Sequence, residues 1–248
     1  MVEEPSSEST ESNSDESTGS DSWEEISEVV YGVIEILRSD VQHYWTRIRD
    51  NEEDLFWRRG FVRATFAFFE GMISTLKGEA ITLHVLLQRR LLNQQLSAAE
   101  ASSLHELYHH MDKIRRGADF EPWELLLIQE TSYQLTDAGE VKWKKAKLRL
   151  DSNLIFCFRM LAKAARVEFE LKRDGEGWKD FKTAIGIRDR LTHPRRLEDI
   201  NVSMSEVETV LKAFNWIHKQ HLALREIIKQ SYHNGAENSE NGPVAGAD

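Results

Sequence analysis

The sequence predicts an all-α protein, a multi-helix bundle carrying one small β-hairpin insertion. Three observations predict it. Apolar residues recur at helical spacing along most of the chain. Capping boxes and glycines mark where helices start and stop. Only one stretch, SYQLTDAGEVKW, has the short alternating segments and Asp-Ala-Gly turn of a hairpin.

The first helix opens at the capping-box pair Ser22 and Glu25. It continues through Ile26, Val29, Val30, Val33, Ile34, Leu37, Val41, Trp45 and Ile48. A second helix is expected over 52–76. Its centre, FVRATFAFFEGMI, is apolar almost all round, which marks the central helix. Glu70 lies inside that run, and a buried carboxylate needs a partner, most simply an arginine. Gly78 is expected to separate this helix from another over 79–95. Ser97 and Glu100 form a second capping box, opening a helix to about residue 116, before Gly117.

Pro122 suits the first turn of a short helix reaching about residue 130. The hairpin follows. Asp151 or Ser152 is expected to cap a helix over 153–172, and Gly175 and Gly177 precede a shorter one over 178–190. Ser203/Glu206 and Ser205/Glu208 are overlapping capping boxes ahead of a last helix to about residue 232. No internal repeat is visible. The seven tryptophans are spread over the helices and read as core or interface packing.

Residues 1–22 form an acidic Ser/Glu-rich arm, and 234–248 are similarly poor in apolar groups. Both are expected to be disordered, flanking a single helical domain over 23–233. The arm holds seven acids and no base, and the tail adds three acids. Together they account for the whole net charge of −10, leaving a neutral body. The acidic total therefore does not argue against a polyanionic ligand. No apolar run reaches the length of a membrane span, and no basic-then-apolar signal opens the chain. With one cysteine, Cys157, no intramolecular disulfide can form, which fits a cytoplasmic location.

Two segments carry candidate chemistry. His105, Glu106 and His109 spell H-E-x-x-H. On a helix the two histidines share a face and suit zinc, with Glu106 to activate its water. Only Glu121, Glu124 and Glu130 lie suitably downstream as a third ligand, and no sheet precedes the motif. The commoner reading is a half-exposed helix with histidines at its polar edge.

The second segment is GIRDRLTHPRR, 186–196. Pro194 disfavours helix at His193, so the chain turns between Arg190 and Pro194. On an unbroken helix, residues five apart point about 140° away from each other. Arg188 and His193 converge only if the turn swings His193 back or a second subunit supplies the partner. Arginine holds phosphate in bidentate fashion, and histidine ordinarily titrates near pH 6.5, close to working pH. Asp189 is placed to orient the imidazole. Arg190, Thr192, Arg195 and Arg196 are the candidate phosphate-binding residues. Cations also stabilise a helix C-terminus with no ligand at all. Arg38 and His43 repeat the bare spacing, so Asp189, the helix end and the proline distinguish 188–193.

RDRLTHP resembles the signature of HEPN domains (higher eukaryotes and prokaryotes nucleotide-binding): arginine, a polar residue, a short gap and histidine, late in an all-α bundle. RRGFVRATFAFFEGMI (58–73) is similar to the early family helix. YQLTDAGEVKWKKAKLRLDSNLIFCFRMLAK (133–163) is similar to the hairpin and following helix of some bacterial members. The resemblance spans about residues 25–230. It implies a cofactor-free, metal-independent endoribonuclease acting on RNA as a homodimer, with both motifs facing one cleft. Arg188, Asp189 and His193 would be catalytic, and Glu70 would support an arginine from the central helix. A defence or toxin–antitoxin role, with an antitoxin or nucleotidyltransferase partner, is also implied. Where some toxin members carry a modified tyrosine, this chain has Arg195, which argues against that form of neutralisation.

Overall fold

A computed structural model describes residues 23–99 and 120–240. Helices α1 (Trp23–Asp50) and α2 (Leu55–Ala99) form a long hairpin. A short helix α3 (Pro122–Ile128) leads into strands β1 (Thr131–Leu135) and β2 (Val141–Lys145). Helices α4 (Leu150–Ala164), α5 (Glu176–Thr192) and α6 (Met204–Glu240) follow, with a 3-10 turn at Leu197–Ile200. The described residues are thus mostly helical, with one two-stranded antiparallel hairpin. None of the described helices is long and apolar enough to cross a membrane.

Helix α2 is the axis of the fold, packing against α1, α4, α5 and α6. Phe61, Phe68, Phe69, Met72 and Leu76 are fully buried along it and meet Phe158 of α4, Phe181 of α5 and Phe214 of α6 in one core. Phe68 packs edge-on to Phe214 at 4.8 Å, and Phe69 to Phe181 at 5.5 Å. The α1–α2 crossing is close because two glycines allow it. A Cβ at Gly60 would sit 2.1 Å from the Tyr44 ring, and one at Gly71 2.3 Å from Leu37. Asp54 starts α2 by accepting the Phe56 backbone N–H at 2.8 Å.

Several boundaries differ from the sequence reading. The helices expected over 52–76 and 79–95 are one helix. Gly78 costs α2 about 1 kcal/mol relative to alanine. Burial of Leu76, Lys77, Glu79 and Ala80 on either side holds the helix through it. Ser97 lies inside α2 rather than at a cap, and the helix expected to reach residue 116 lies, beyond Ala99, outside the described residues. Helix α4 starts at Leu150, because Asp151 is turned to Lys182, Arg149 and the Ser152 N–H instead of capping.

Helix α4 stops at Ala164, well short of residue 172. Arg166 takes a left-handed conformation (φ 57°), and VEFEL then runs extended, with Val167, Phe169 and Leu171 turned inward alternately. Phe169 stacks on Phe158 at 5.7 Å. Helix α6 continues to Glu240, past Asn234, into the tail expected to be disordered. Extending an already packed helix avoids the nucleation cost.

The hairpin turn matches expectation. Gly139 adopts φ 76°, and Thr136 and Glu140 close the turn through two bonds of 2.9 and 3.1 Å. Tyr133 faces Trp143 across the strands, and Leu135 faces Val141.

Candidate functional site at the end of helix α5

Helix α5 buries Phe181, Ala184, Ile187 and Leu191 on one face. Arg188 flanks that face and is half-buried, whereas Asp189 and His193 are exposed. The helix ends at Thr192. His193 leaves helical geometry (φ −128°, ψ 61°) while its N–H still reaches the Asp189 carbonyl at 3.0 Å, and Pro194 prevents continuation.

Arg188 is held from three directions. Its Nη2 donates to Glu70 Oε1 at 2.9 Å, its Nη1 donates to Asp189 Oδ1 at 3.2 Å, and its guanidinium lies 5.8 Å from the Phe66 ring centroid. Glu70 is not the buried carboxylate that its apolar neighbours suggest. It sits on an exposed stripe of α2 formed by Arg63, Ala67, Glu70, Ser74 and Gly78. Its partner is nonetheless an arginine, the usual partner expected for it. Two of the five N–H donors of Arg188 are engaged in these bonds.

Within the chain, Asp189 is paired with Arg188 rather than with His193. Its carboxylate binds Arg188, and no side chain among the described residues hydrogen-bonds the His193 imidazole.

The candidate phosphate-binding residues divide in two. Arg190 is turned into the structure. Its Nη1 donates to the carbonyls of Asp199 (3.0 Å) and Asn201 (2.8 Å), and its Nη2 pairs with Glu206. Glu206 in turn accepts the Ser203 N–H at 2.8 Å, while the Ser203 hydroxyl accepts the Glu206 N–H at 3.2 Å. Arg190 thus locks the post-motif loop onto the capping box of α6. The Thr192 hydroxyl donates to the Arg188 carbonyl at 2.8 Å. Arg195 and Arg196 remain exposed. Their backbone N–H groups both donate to Asp199 Oδ2, at 2.8 and 2.9 Å. Those two bonds hold the Asp199 carboxyl below its ordinary range.

The exposed stripe of α2 runs between two concavities. One, about 590 Å³, is lined by Tyr44, Arg59, Arg63, Ala67 and Ile200, on the side of the post-motif loop. Arg59 and Arg63 escape the sequence reading, although their spacing of four, continued by Ala67 and Glu70, was a usable signal. The other concavity, about 660 Å³, lies between α2 and the hairpin.

His105, Glu106 and His109 lie outside the described residues. Of the possible third zinc ligands, Glu124 is buried against Lys163 and Arg159. Glu130 is bound by Lys77 at 2.9 Å and Lys145 at 3.5 Å. The tryptophans, expected in the core or at an interface, divide between the two kinds of position. Trp45, Trp57, Trp178 and Trp216 pack on the core, but Trp123 and Trp143 are exposed.

No family model, curated protein or solved structure matches this chain.

Proposed function

We propose that this protein is a metal-independent endoribonuclease of HEPN type, cleaving RNA at a composite site formed by two copies of the chain. The observation that carries this reading is the fixed guanidinium of Arg188, held by Glu70 on the exposed stripe of α2, with the exposed His193 five positions on at the end of the same helix. In the reaction, the ribose 2′-oxygen forms a bond to phosphorus while the bond from phosphorus to the 5′-oxygen breaks. One proton leaves the 2′-hydroxyl and one arrives at the 5′-oxygen. The products are a 2′,3′-cyclic phosphate and a 5′-hydroxyl.

His193 of one copy accepts or delivers such a proton, and the second copy supplies the complementary imidazole. General acid–base transfer of this kind contributes about 10²–10⁴-fold. The remaining Arg188 donors stabilise the charge on the pentacoordinate phosphate, worth roughly 10²–10³-fold by analogy with other oxyanion donors. No cofactor enters these steps. Arg195 and Arg196, exposed beyond the motif, serve the flanking phosphates.

The test is cleavage of mixed-sequence RNA in excess EDTA by wild type and by His193→Ala. Cleavage by wild type alone, leaving cyclic-phosphate ends, supports the reading. Equal cleavage by the variant removes His193 from the chemistry.

A second reading has its own support. Arg188 already has two carboxylate partners, and Asp189 does not prepare the imidazole. Those features suit a non-catalytic HEPN-like module that binds RNA, a nucleotide or a protein. Salt-sensitive RNA binding with no turnover would favour it.

A further inference from the structure

The β1–β2 hairpin leaves an apolar face uncovered. Tyr133 (59% exposed), Trp143 (65%), Leu135 and Val141 share that face, since they are directly opposed pairs in the register. Tyr133 and Trp143 meet edge to face at 6.2 Å. This cross-strand contact uses one edge of the pair and leaves aromatic surface open. Trp143 also lines the 660 Å³ concavity, whose opposite wall is Ser74, Lys77 and Gly78 of α2.

Glu130 in the same concavity is already bound by Lys77 and Lys145, and the second strand and its exit are rich in cations. Residues 141–149, VKWKKAKLR, hold five cations and no acid in a chain of net charge −10. Lys145 and Arg149 are paired with Glu130 and Asp151. Among the described residues, none of Lys142, Lys144 and Lys147 has an acidic partner.

We propose that this hairpin and the facing surface of α2 form a binding cleft for single-stranded RNA, in which Trp143 and Tyr133 stack on bases while Lys142 and Lys144, alternating to the other face of the ribbon, and Lys147 beyond β2 attract the phosphates. Stacking on aromatic side chains beside a row of cations is the common means of holding single strands without reading sequence. The choice of RNA over another single strand rests on the ribonuclease reading. The exposed stripe of α2 connects the two sites. Gly78 and Ser74 wall the cleft, and Glu70, one turn beyond Ser74, carries Arg188. From Gly78 to Glu70 the helix rises about 12 Å, the length of a few nucleotides of extended strand. An anionic membrane fits the surface less well. The hairpin tip, which would enter the lipid first, carries Asp137 and Glu140, and the rings lie beside a cleft rather than at the tip.

The test is fluorescence anisotropy of a labelled dodecameric oligouridylate titrated with the full chain carrying His193→Ala, in EDTA. Trp143→Ala should weaken binding roughly 5- to 150-fold, the range seen when one stacking residue is removed. Replacing Lys142, Lys144 and Lys147 with glutamine should flatten the salt dependence, because fewer counterions are released. Lys212→Gln with Lys219→Gln on the exposed face of α6 should change neither. All these side chains are exposed, and circular dichroism melting is the check that each variant folds. Binding unaffected by the hairpin changes overturns the proposal, as does absence of RNA binding by the parent. Trp143-dependent sedimentation with phosphatidylserine vesicles, without RNA binding, also overturns it and assigns the surface to lipid. Weak binding by Trp143→Ala, beside a wild type that never cleaves, keeps the cleft and removes the ribonuclease reading. A cleaving wild type whose RNA affinity is indifferent to Trp143 does the reverse.

Discussion

Arg188 and Glu70 lie 118 positions apart and meet at 2.9 Å, joining the motif helix to the exposed stripe of the central helix. The side chains keep 35% and 54% of their surface exposed, so water screens the pair and it contributes at most about 1 kcal/mol to stability. Its larger consequence is positional. A long side chain with many rotamers is confined to one place beside a proposed reaction site. Glu70→Gln should leave the melting temperature within a few degrees of wild type and lower kcat for RNA cleavage by about tenfold. The pH profile should keep its shape, because no proton carrier is changed. An unchanged kcat would mean that Arg188 needs no anchor.

Arg190 should behave in the opposite way. It is less exposed than Arg188, and its bonds to Asp199, Asn201 and Glu206 fasten the loop after the motif to the start of α6. Hydrogen bonds to a charged group contribute about 1.5–3 kcal/mol when lost, and here the carbonyls and carboxylate would also lose their donor. Arg190→Ala should destabilise the protein by roughly 2–3 kcal/mol, or about 4–12 °C in a chain of this size. Thermal melting checks this. A variant that melts with wild type but binds RNA weakly would return Arg190 to the phosphate-binding set.

These two arginines show what the sequence makes legible. Local signals are readable one element at a time. Pro194 stops α5 close to where it is expected to stop, Asp-Ala-Gly makes the hairpin turn, and Ser203 with Glu206 caps α6. Pairings that depend on tertiary placement are not readable. Nothing near position 190 says that Glu206 will be its partner, and the apolar neighbours of Glu70 give no sign that it falls on an exposed stripe of α2. Gly78 and VEFEL mislead for related reasons. Packing overrides the local preference of the first, and the second carries a two-residue period inside an expected helix. The exposure of Trp143 is partly legible, because the interleaved lysines of KWKKAK distinguish it from a core tryptophan.

Cys157 should be chemically silent in the native state. Its side chain is fully buried in α4, with Sγ 3.6 Å from Asn153 Oδ1, and burial pushes the thiol up to about 12. The reactive thiolate is then scarce at any physiological pH. Ellman's reagent at pH 8 should find no rapidly reacting thiol in folded protein and one per chain in guanidinium. Rapid reaction in the native state would show that α4 opens.

The buried contact between α2 and α6 predicts the pH dependence of stability. Glu79 and Arg225 are paired at 2.6 Å beside His221, whose two ring nitrogens have no hydrogen-bond partner. Burial outweighs the attraction of Arg225 and raises the Glu79 carboxyl from 4.5 to about 7. Burial, aided by the charges of Arg225 and His218, lowers His221 from 6.5 to about 3. The two shifts act with opposite signs. Because the folded state holds the Glu79 proton more tightly, its contribution is present below about pH 4.5 and is lost as pH rises through about 7. Because the folded state resists protonation of His221, its contribution is present above about pH 6.5 and is lost as pH falls towards 3. At pH 5 an unfolded histidine is charged while His221 is neutral, a difference of about 2 kcal/mol against folding. His221→Leu removes that term at pH 5 and has nothing to remove at pH 8. Its packing cost is common to both conditions, and the Glu79 contribution, which differs between them, is shared by wild type and variant and cancels in the comparison. Urea unfolding of wild type and variant should therefore show the variant about 2 kcal/mol better placed, relative to wild type, at pH 5 than at pH 8. An equal difference at both pH values would mean that His221 takes up its proton inside the fold.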